Sequence, residues 1–317
     1  MKKKVALITG SEGFVGTHLI KYLHNHNYYI IATYYKKIKK FNSTRIKYIK
    51  CDVRNKSKVF FFIKKFKPDE IYHLAAKSLP SFSFKNPIET INTNVIGTIN
   101  ILEAVKFAKI NPKILIACSS AQYGKKKFKD LPLREDNLLE PEHLYGLSKL
   151  FQNLLALQYY KMFGLRVYRA IIFNTSGPGK VGDVFSDFCS QFVNNKIKGG
   201  KKIIKIGDIN KYRDFLHVND LVKGLNAIVC RGIAGESYNL CSSRYYKIKE
   251  IIDLMKNQTK FKIVIKKKKN LIRKFDEKYI FGSNKKIKKI GWKPYLNLKN
   301  IFEDVCVFYE KKKYQFS

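Results

Sequence analysis

Acidic side chains are scarce: 24 Asp and Glu stand against 63 Lys and Arg in 317 residues. A formal charge of +39 would suit a nucleic-acid partner, because lysine and arginine neutralise phosphates. The lysines, however, run through almost every segment instead of gathering in a stripe, and Ile, Asn, Tyr and Phe are abundant as well. Dispersed charge of that kind reads as a bias of composition, so no nucleic-acid partner is expected. A basic surface still favours a small anionic substrate.

Long apolar runs are also missing. Nothing approaches the roughly eighteen consecutive apolar residues of a membrane span, so no membrane insertion is expected. The opening MKKKVALITG has the basic start of a secretion signal, but VALIT is too short and leads into a glycine loop. A cytoplasmic protein is the expectation. The six cysteines include no CxxC pair, and the six histidines form no cluster at zinc-like spacing. Disulfides and a metal site are therefore not expected.

With 45% hydrophobic residues, the chain can bury a full core. Short apolar strands alternate with helical patterns: KVALITG, GFVGTHLIKYLHNH, YYIIATYY, KSKVFFFIKKFK and EIYHLAA. A long helix over ETINTNVIGTINILEAVKFA and the strand KILIACSS come next. Near-continuous apolar strands alternating with helices argue for a parallel sheet covered on both faces, an α/β doubly wound fold of the Rossmann kind. Residues 1–174, joined again by 212–240, are expected to form that dinucleotide-binding domain. LRVYRAIIFN and ESYNLCSS read as further strands, and GDVFSDFCSQFVNNK and KIKEIIDLMKNQ as helices; residues 175–211 and 241–317 are expected to form a smaller C-terminal substrate-binding lobe. The lysine run 266–269 reads as a solvated loop.

LITGSEGFVGTHL sets Gly10, Gly13 and Gly16 between a strand and an amphipathic helix. Glycines are needed where backbone turns tightly beside a pyrophosphate, which then rests on the helix N-terminus. An NAD-selective site would carry an acid about twenty residues later, for the ribose 2′-hydroxyl. No Asp or Glu lies between Glu12 and Asp52, and Lys36 and Lys37 stand where a 2′-phosphate would want positive charge. NADP(H) is thus favoured, with NAD(H) as the alternative. Asp52 and Val53 come after the third strand as adenine contacts, and the small Ala75 and Ala76 would let a dinucleotide lie close.

HLYGLSKL holds Tyr145 and Lys149, which share one face of a helix. An ammonium beside a phenol favours the phenolate and lowers its pKa. His73, ahead of Leu74 in HLAAKS, reads as a packed strand residue, and Trp292 in GWKP as core.

Taken together, TGSEGFVGTHL, DVRN, HLAAKS, NTNVIGTINILEA, SSAQYG, YGLSK, FNTSGPG, YRDFLHVNDLVKG, GESYNLCS and GWKP keep one order along nearly the whole chain. The sequence resembles the extended short-chain dehydrogenases/reductases, the nucleotide-sugar epimerases, dehydratases and reductases. Within them it is most similar to the GDP-4-keto-6-deoxy-D-mannose reductases. The resemblance implies cofactor contacts from Gly10, Gly13, Phe14, Val15 and Gly16, from Tyr34, Lys36, Asp52 and Val53, and from Leu74, Ala75, Ala76 and Asn94. It assigns Ser119, or Ser120, to the substrate's C4 oxygen, Tyr145 to acid/base work there, and Lys149 to its electrostatic support and to the cofactor. Asn174, Arg213 and Arg273 would hold the sugar diphosphate, a role that suits arginine's planar fork. A nucleotide-diphosphate sugar, GDP-linked by preference, and a homodimer are also implied. Thr175 and Lys274 depart from the relatives' usual histidine and proline.

The two residues after the serine pair narrow the reaction. A 4,6-dehydratase carries an acid after its catalytic Ser or Thr, and a 3,5-epimerase–reductase a cysteine. Here Ala121 and Gln122 stand there, and neither titrates. Reduction of a 4-keto sugar and reversible 4-epimerisation remain, with reduction favoured.

Overall fold

The computed structural model describes residues 3–37, 40–197, 202–259, 263–268 and 277–314. Strands β1 (Val5–Thr9), β2 (Tyr29–Tyr34), β3 (Ile46–Lys50), β4 (Glu70–His73), β5 (Lys113–Ser119) and β6 (Val167–Ile172) join a seventh, Ser237–Leu240. All pair in parallel, in the order seventh strand, β6, β5, β4, β1, β2, β3. The strand order therefore reverses between β1 and β4. In such sheets ligands bind outside the carboxyl ends of the strands at that reversal.

Alternation along each strand feeds two cores. Ala6 and Ile8 of β1 pack with α1 (Phe14–Asn25) on one face of the sheet. Leu7 packs on the other face with α2 (Lys56–Phe66). Asn55 starts α2 by accepting Lys58 N–H at 2.9 Å, and Lys67 ends it in a left-handed conformation, φ 41°. Both strand faces are thus buried, which explains the unbroken apolar runs in the sequence.

The long helix expected across residues 89–108 is interrupted. Helices α3 (Pro80–Lys85) and α4 (Pro87–Ile91) lead into one widened π-type turn, Asn92–Ile96, before α5 (Gly97–Phe107). Such turns displace side chains from helical register, and this one carries Asn94. At Gly97 an added Cβ would come within 2.7 Å of the Val53 side chain, so glycine lets α5 press against the loop after β3.

A third core lies outside the sheet. Phe185, Phe188 and Phe192 of α7 (Val184–Ile197) meet side chains of two later helices, Ile248–Asn257 and Leu298–Tyr314. A parallel pair, Lys202–Ile206 with Ile263–Lys267, accompanies this lobe. Lys266 and Lys267 extend the second of these strands with exposed side chains, so that part of the expected loop is strand. Short strands Thr175–Ser176 with Leu216–His217, and Tyr212–Arg213 between Tyr246–Lys247 and Tyr279–Ile280, tie lobe to sheet. Trp292 is core, as expected: its indole N–H donates to the Asp220 carbonyl at 3.1 Å. The architecture is the doubly wound sheet with a smaller lobe over its carboxyl edge.

Candidate active site

Between sheet and lobe runs a cleft of about 1580 Å³. That exceeds the 300–1,000 Å³ or so of a single small-ligand pocket and leaves room for two extended ligands. Its floor is the glycine loop. Gly10 has φ +66°, and a Cβ there would come within 2.8 Å of the Ala75 backbone. A Cβ on Gly16 would collide with the Gly10 carbonyl. Ser11 fixes the loop to β2 by donating both its N–H and its Oγ to Thr33 O, at 3.0 and 2.8 Å. The α1 N-terminus has no side-chain cap, and its free N–H groups suit a pyrophosphate. The loop therefore fits a dinucleotide.

Of the residues expected to touch the cofactor, Gly10, Gly13, Phe14, Val15, Gly16, Lys36, Asp52, Val53, Leu74, Ala75, Ala76, Tyr145 and Lys149 line this cleft. Tyr34 does not line it, whereas its neighbour Tyr35 does. Tyr34 ends β2 beside the sheet, and the next residue turns toward the opening. Asn94 sits behind the cleft wall, fully buried. Its Oδ1 accepts Lys77 N–H at 2.8 Å, and its Nδ2 donates to Lys77 O and to Ser148 Oγ, at 3.2 and 2.8 Å. It braces α6 (Leu144–Phe163) and the wall after β4 without facing the opening.

β5 ends at Ser119, and Ser120–Tyr123 forms a short 3₁₀ turn begun by Ala121 N–H donating to Ser119 Oγ at 3.2 Å. α6 crosses this turn closely, because a Cβ on Gly146 would lie 2.5 Å from the Ala121 carbonyl. Glycine after Tyr145 thus permits the approach that brings the Tyr145 side chain within hydrogen-bonding reach of Ser119. One turn along, Lys149 is buried and donates from Nζ to Ala117 O at 2.8 Å. Ser119, Ser120, Tyr145 and Lys149 all line the cleft at this point.

Burial sets the electrostatics here. It pushes the Tyr145 phenol above its ordinary value, and the Ser119 hydroxyl opposes that only in part. From the sequence a phenol lowered by Lys149 is expected; here burial outweighs other influences and the phenol lies above its ordinary value, while the Lys149 ammonium donates to the Ala117 carbonyl. Desolvation lowers Lys149 itself to about 8. A phenol held this way keeps its proton at neutral pH and can donate it. His73 bonds Thr9 Oγ1 at 2.8 Å and Thr98 Oγ1 at 3.0 Å, and burial takes it to about 3. It is a neutral strut, as expected.

Around the serines, Ala121 faces the cleft, whereas Gln122 is buried behind it, accepting from Asn153 Nδ2 at 3.1 Å. Cys118 borders the cleft, but its side chain belongs to the core and burial pushes the thiol up to about 11. His143 is not legible as a site residue in the sequence. It caps α6 through Nδ1, which accepts Gly146 N–H at 3.0 Å, and its ring lies nearly parallel to Tyr145, centroids 6.0 Å apart. Its position at the helix start is the only sequence signal it offers.

Toward the lobe, Asn174 lines the cleft with its Nδ2 buried and unpartnered, a donor suited to an acceptor-rich ligand. Arg213 also lines it, anchored by Nη1 to Tyr212 O at 2.8 Å. The adjoining Asp214 accepts Ser242 and Ser243 N–H at 2.7 and 2.9 Å, and burial raises it to about 7. Lys180, which no motif singles out, holds its ammonium 5.0 Å from the Phe14 ring centre, and burial lowers its pKa. Arg273 lies outside the described residues. No cluster of metal-ligating side chains occurs among the described residues, and no described helix is long and apolar enough to cross a membrane.

A family model described as GDP-mannose 4,6 dehydratase matches residues 7–305. GDP-6-deoxy-D-mannose reductase of Pseudomonas aeruginosa is 30% identical over 247 residues, 77% of this chain and 81% of that one. GDP-mannose 4,6-dehydratase of Vibrio cholerae is 25% identical over 270 residues, covering 80% and 71%. The solved structure of RMD from Pseudomonas aeruginosa complexed with NADPH superposes with a TM-score of 0.84 at 28% identity, over 98% of this chain and 100% of that one.

The site geometry predicts a pH profile. Proton donation needs Tyr145 protonated and benefits from a charged Lys149, so both groups act in one direction. The kcat/KM of a reaction that takes its proton from Tyr145 should be flat below neutrality and fall as pH rises through about 8, where Lys149 loses its charge. Lys149→Arg should move that limb upward, and a profile flat to pH 10 or so in the wild type would contradict the assignment.

Proposed function

This chain belongs to the GDP-mannose 4,6-dehydratase family, NAD(P)-dependent enzymes of nucleotide sugars, and from that membership we propose a specific reaction. It reduces the C4 keto group of a nucleotide-activated 4-keto-6-deoxy sugar, a GDP sugar by preference, using NADH or NADPH. The observation that carries this reading is a proton-holding Tyr145 beside Ser119, with Ala121 as the adjoining cleft residue.

A bound reduced nicotinamide supplies hydride to C4. Ser119 Oγ orients the carbonyl oxygen, and Tyr145 gives that oxygen its phenolic proton. The phenolate left behind draws on the Lys149 ammonium until solvent returns the proton. Asn174 Nδ2 and Arg213 hold the diphosphate, so the sugar reaches Ser119 in one orientation. Elimination at C5 and C6 would need another acid and base close to the sugar. Ala121 supplies neither, and the Cys118 thiol stays protonated at neutral pH. The 30% identical reductase of Pseudomonas aeruginosa supports the GDP sugar.

A homodimer belongs to the same proposal. Leu147, Phe151 and Leu154 leave an exposed apolar stripe on α6, and Ile96 and Phe107 are exposed on the neighbouring segment. Light scattering should give twice the chain mass, and Phe151→Glu should give a monomer; a monomeric wild type would remove this part.

For the reaction, GDP-4-keto-6-deoxymannose with NADH or NADPH should lose absorbance at the reduced cofactor's band. Tyr145→Phe should lower kcat by about 10²–10⁴ while nucleotide-sugar binding persists. No turnover with the GDP, UDP or dTDP 4-keto sugars would sink the reading.

A further inference from the structure

The adenosine end of the cleft contains a carboxylate that the spacing of the glycines does not announce. Glu12 lies within the loop itself, between Gly10 and Gly13. Its Oε1 accepts the N–H of Tyr35, the first residue beyond β2, at 2.8 Å. Its Oε2 is buried with no hydrogen-bond partner. The side chain therefore occupies the backbone N–H at the end of β2, where the ribose of a dinucleotide comes to lie.

Two of the nearby cations, Arg54 and Lys77, are already engaged, while Lys36 is exposed. Arg54 grips Asp52, with Nε at 2.9 and 3.0 Å from the two carboxylate oxygens and Nη2 at 2.7 Å from Oδ2. It also donates to Tyr35 OH at 3.3 Å. Lys77 pairs with Glu89 at 2.7 Å, and Lys36 adds its field to the same Glu89. Glu12, Lys36, Asp52, Arg54 and Lys77 line this end, and two of its three cations, Arg54 and Lys77, are already paired with carboxylates. A ribose hydroxyl brings the donor that the Glu12 carboxylate lacks. A 2′-phosphate brings only acceptors at neutral pH, together with more negative charge.

We propose that Glu12 selects the unphosphorylated dinucleotide, NAD(H), by accepting a ribose hydroxyl and repelling a 2′-phosphate. The proposal rests on reading this cleft as a dinucleotide site. It runs against the weight that Lys36 and Lys37 give to NADP(H) in the sequence. Of that pair, only Lys36 lines the cleft.

Calorimetric titration of the full chain with NADH and with NADPH tests it, without any sugar. The wild type should bind NADH at least about tenfold more tightly. Glu12→Gln keeps an acceptor for Tyr35 N–H and removes the charge; it should narrow the ratio about tenfold, chiefly through tighter NADPH binding. A wild type that binds NADPH more tightly overturns the role of Glu12 whether or not the variant folds. So does a folded Glu12→Gln protein with an unchanged ratio. Binding of neither dinucleotide by the folded wild type would instead refute the dinucleotide site, and Glu12's role with it.

Discussion

Close approach of backbone to backbone at a few glycines is the constraint on which this structure depends. Gly10 rides against Ala75, Gly16 against Gly10, and Gly146 against Ala121. The first two make a floor flat enough for a pyrophosphate beside the α1 N-terminus. The third sets the distance between α6 and the end of β5, and so lets Tyr145 meet Ser119. A side chain at any of the three would lift one wall of the cleft away from the other. The two ligand halves of the site are therefore aligned by the same steric allowance.

Around that allowance, burial does the chemical tuning. Lys149 is buried and Tyr145 half-buried, and desolvation drives each toward its uncharged form. For a proton donor that direction is useful, since a phenol that ionised easily would serve oxidation better than reduction. Behind them, Asn94, Ser148, Thr98 and His73 link α5, α6 and β4 through buried hydrogen bonds. This polar layer keeps the helix bearing Tyr145 in register with the sheet while no part of it faces the cleft.

The doubly wound fold is legible in the sequence because the central strands are buried on both faces and the loop glycines have steric reasons. Tyr145 and Lys149 are legible because four residues make about one helical turn. The rest depends on where a side chain points. Gln122 and Ala121 look equivalent in sequence, yet only Ala121 reaches the cleft. Asn94 resembles a ligand contact and proves to be a brace, because a π-type turn sets it behind the wall. The direction of the Tyr145 shift is hidden for a similar reason: sequence places Lys149 nearby but cannot say how far the phenol is taken out of water. Glu12 looks like loop filler in sequence, since its bond to Tyr35 joins residues 23 positions apart.

The central claim is that this cleft performs one hydride transfer to C4 and one proton transfer to the attached oxygen. The most direct measurement tracks a deuteride. With a 4-keto-6-deoxy nucleotide sugar and cofactor carrying deuterium at the transferable position, the product should contain one deuterium at C4, with one cofactor oxidised per sugar. Product sugar formed without deuterium at C4, or without net oxidation of the cofactor, would contradict the account.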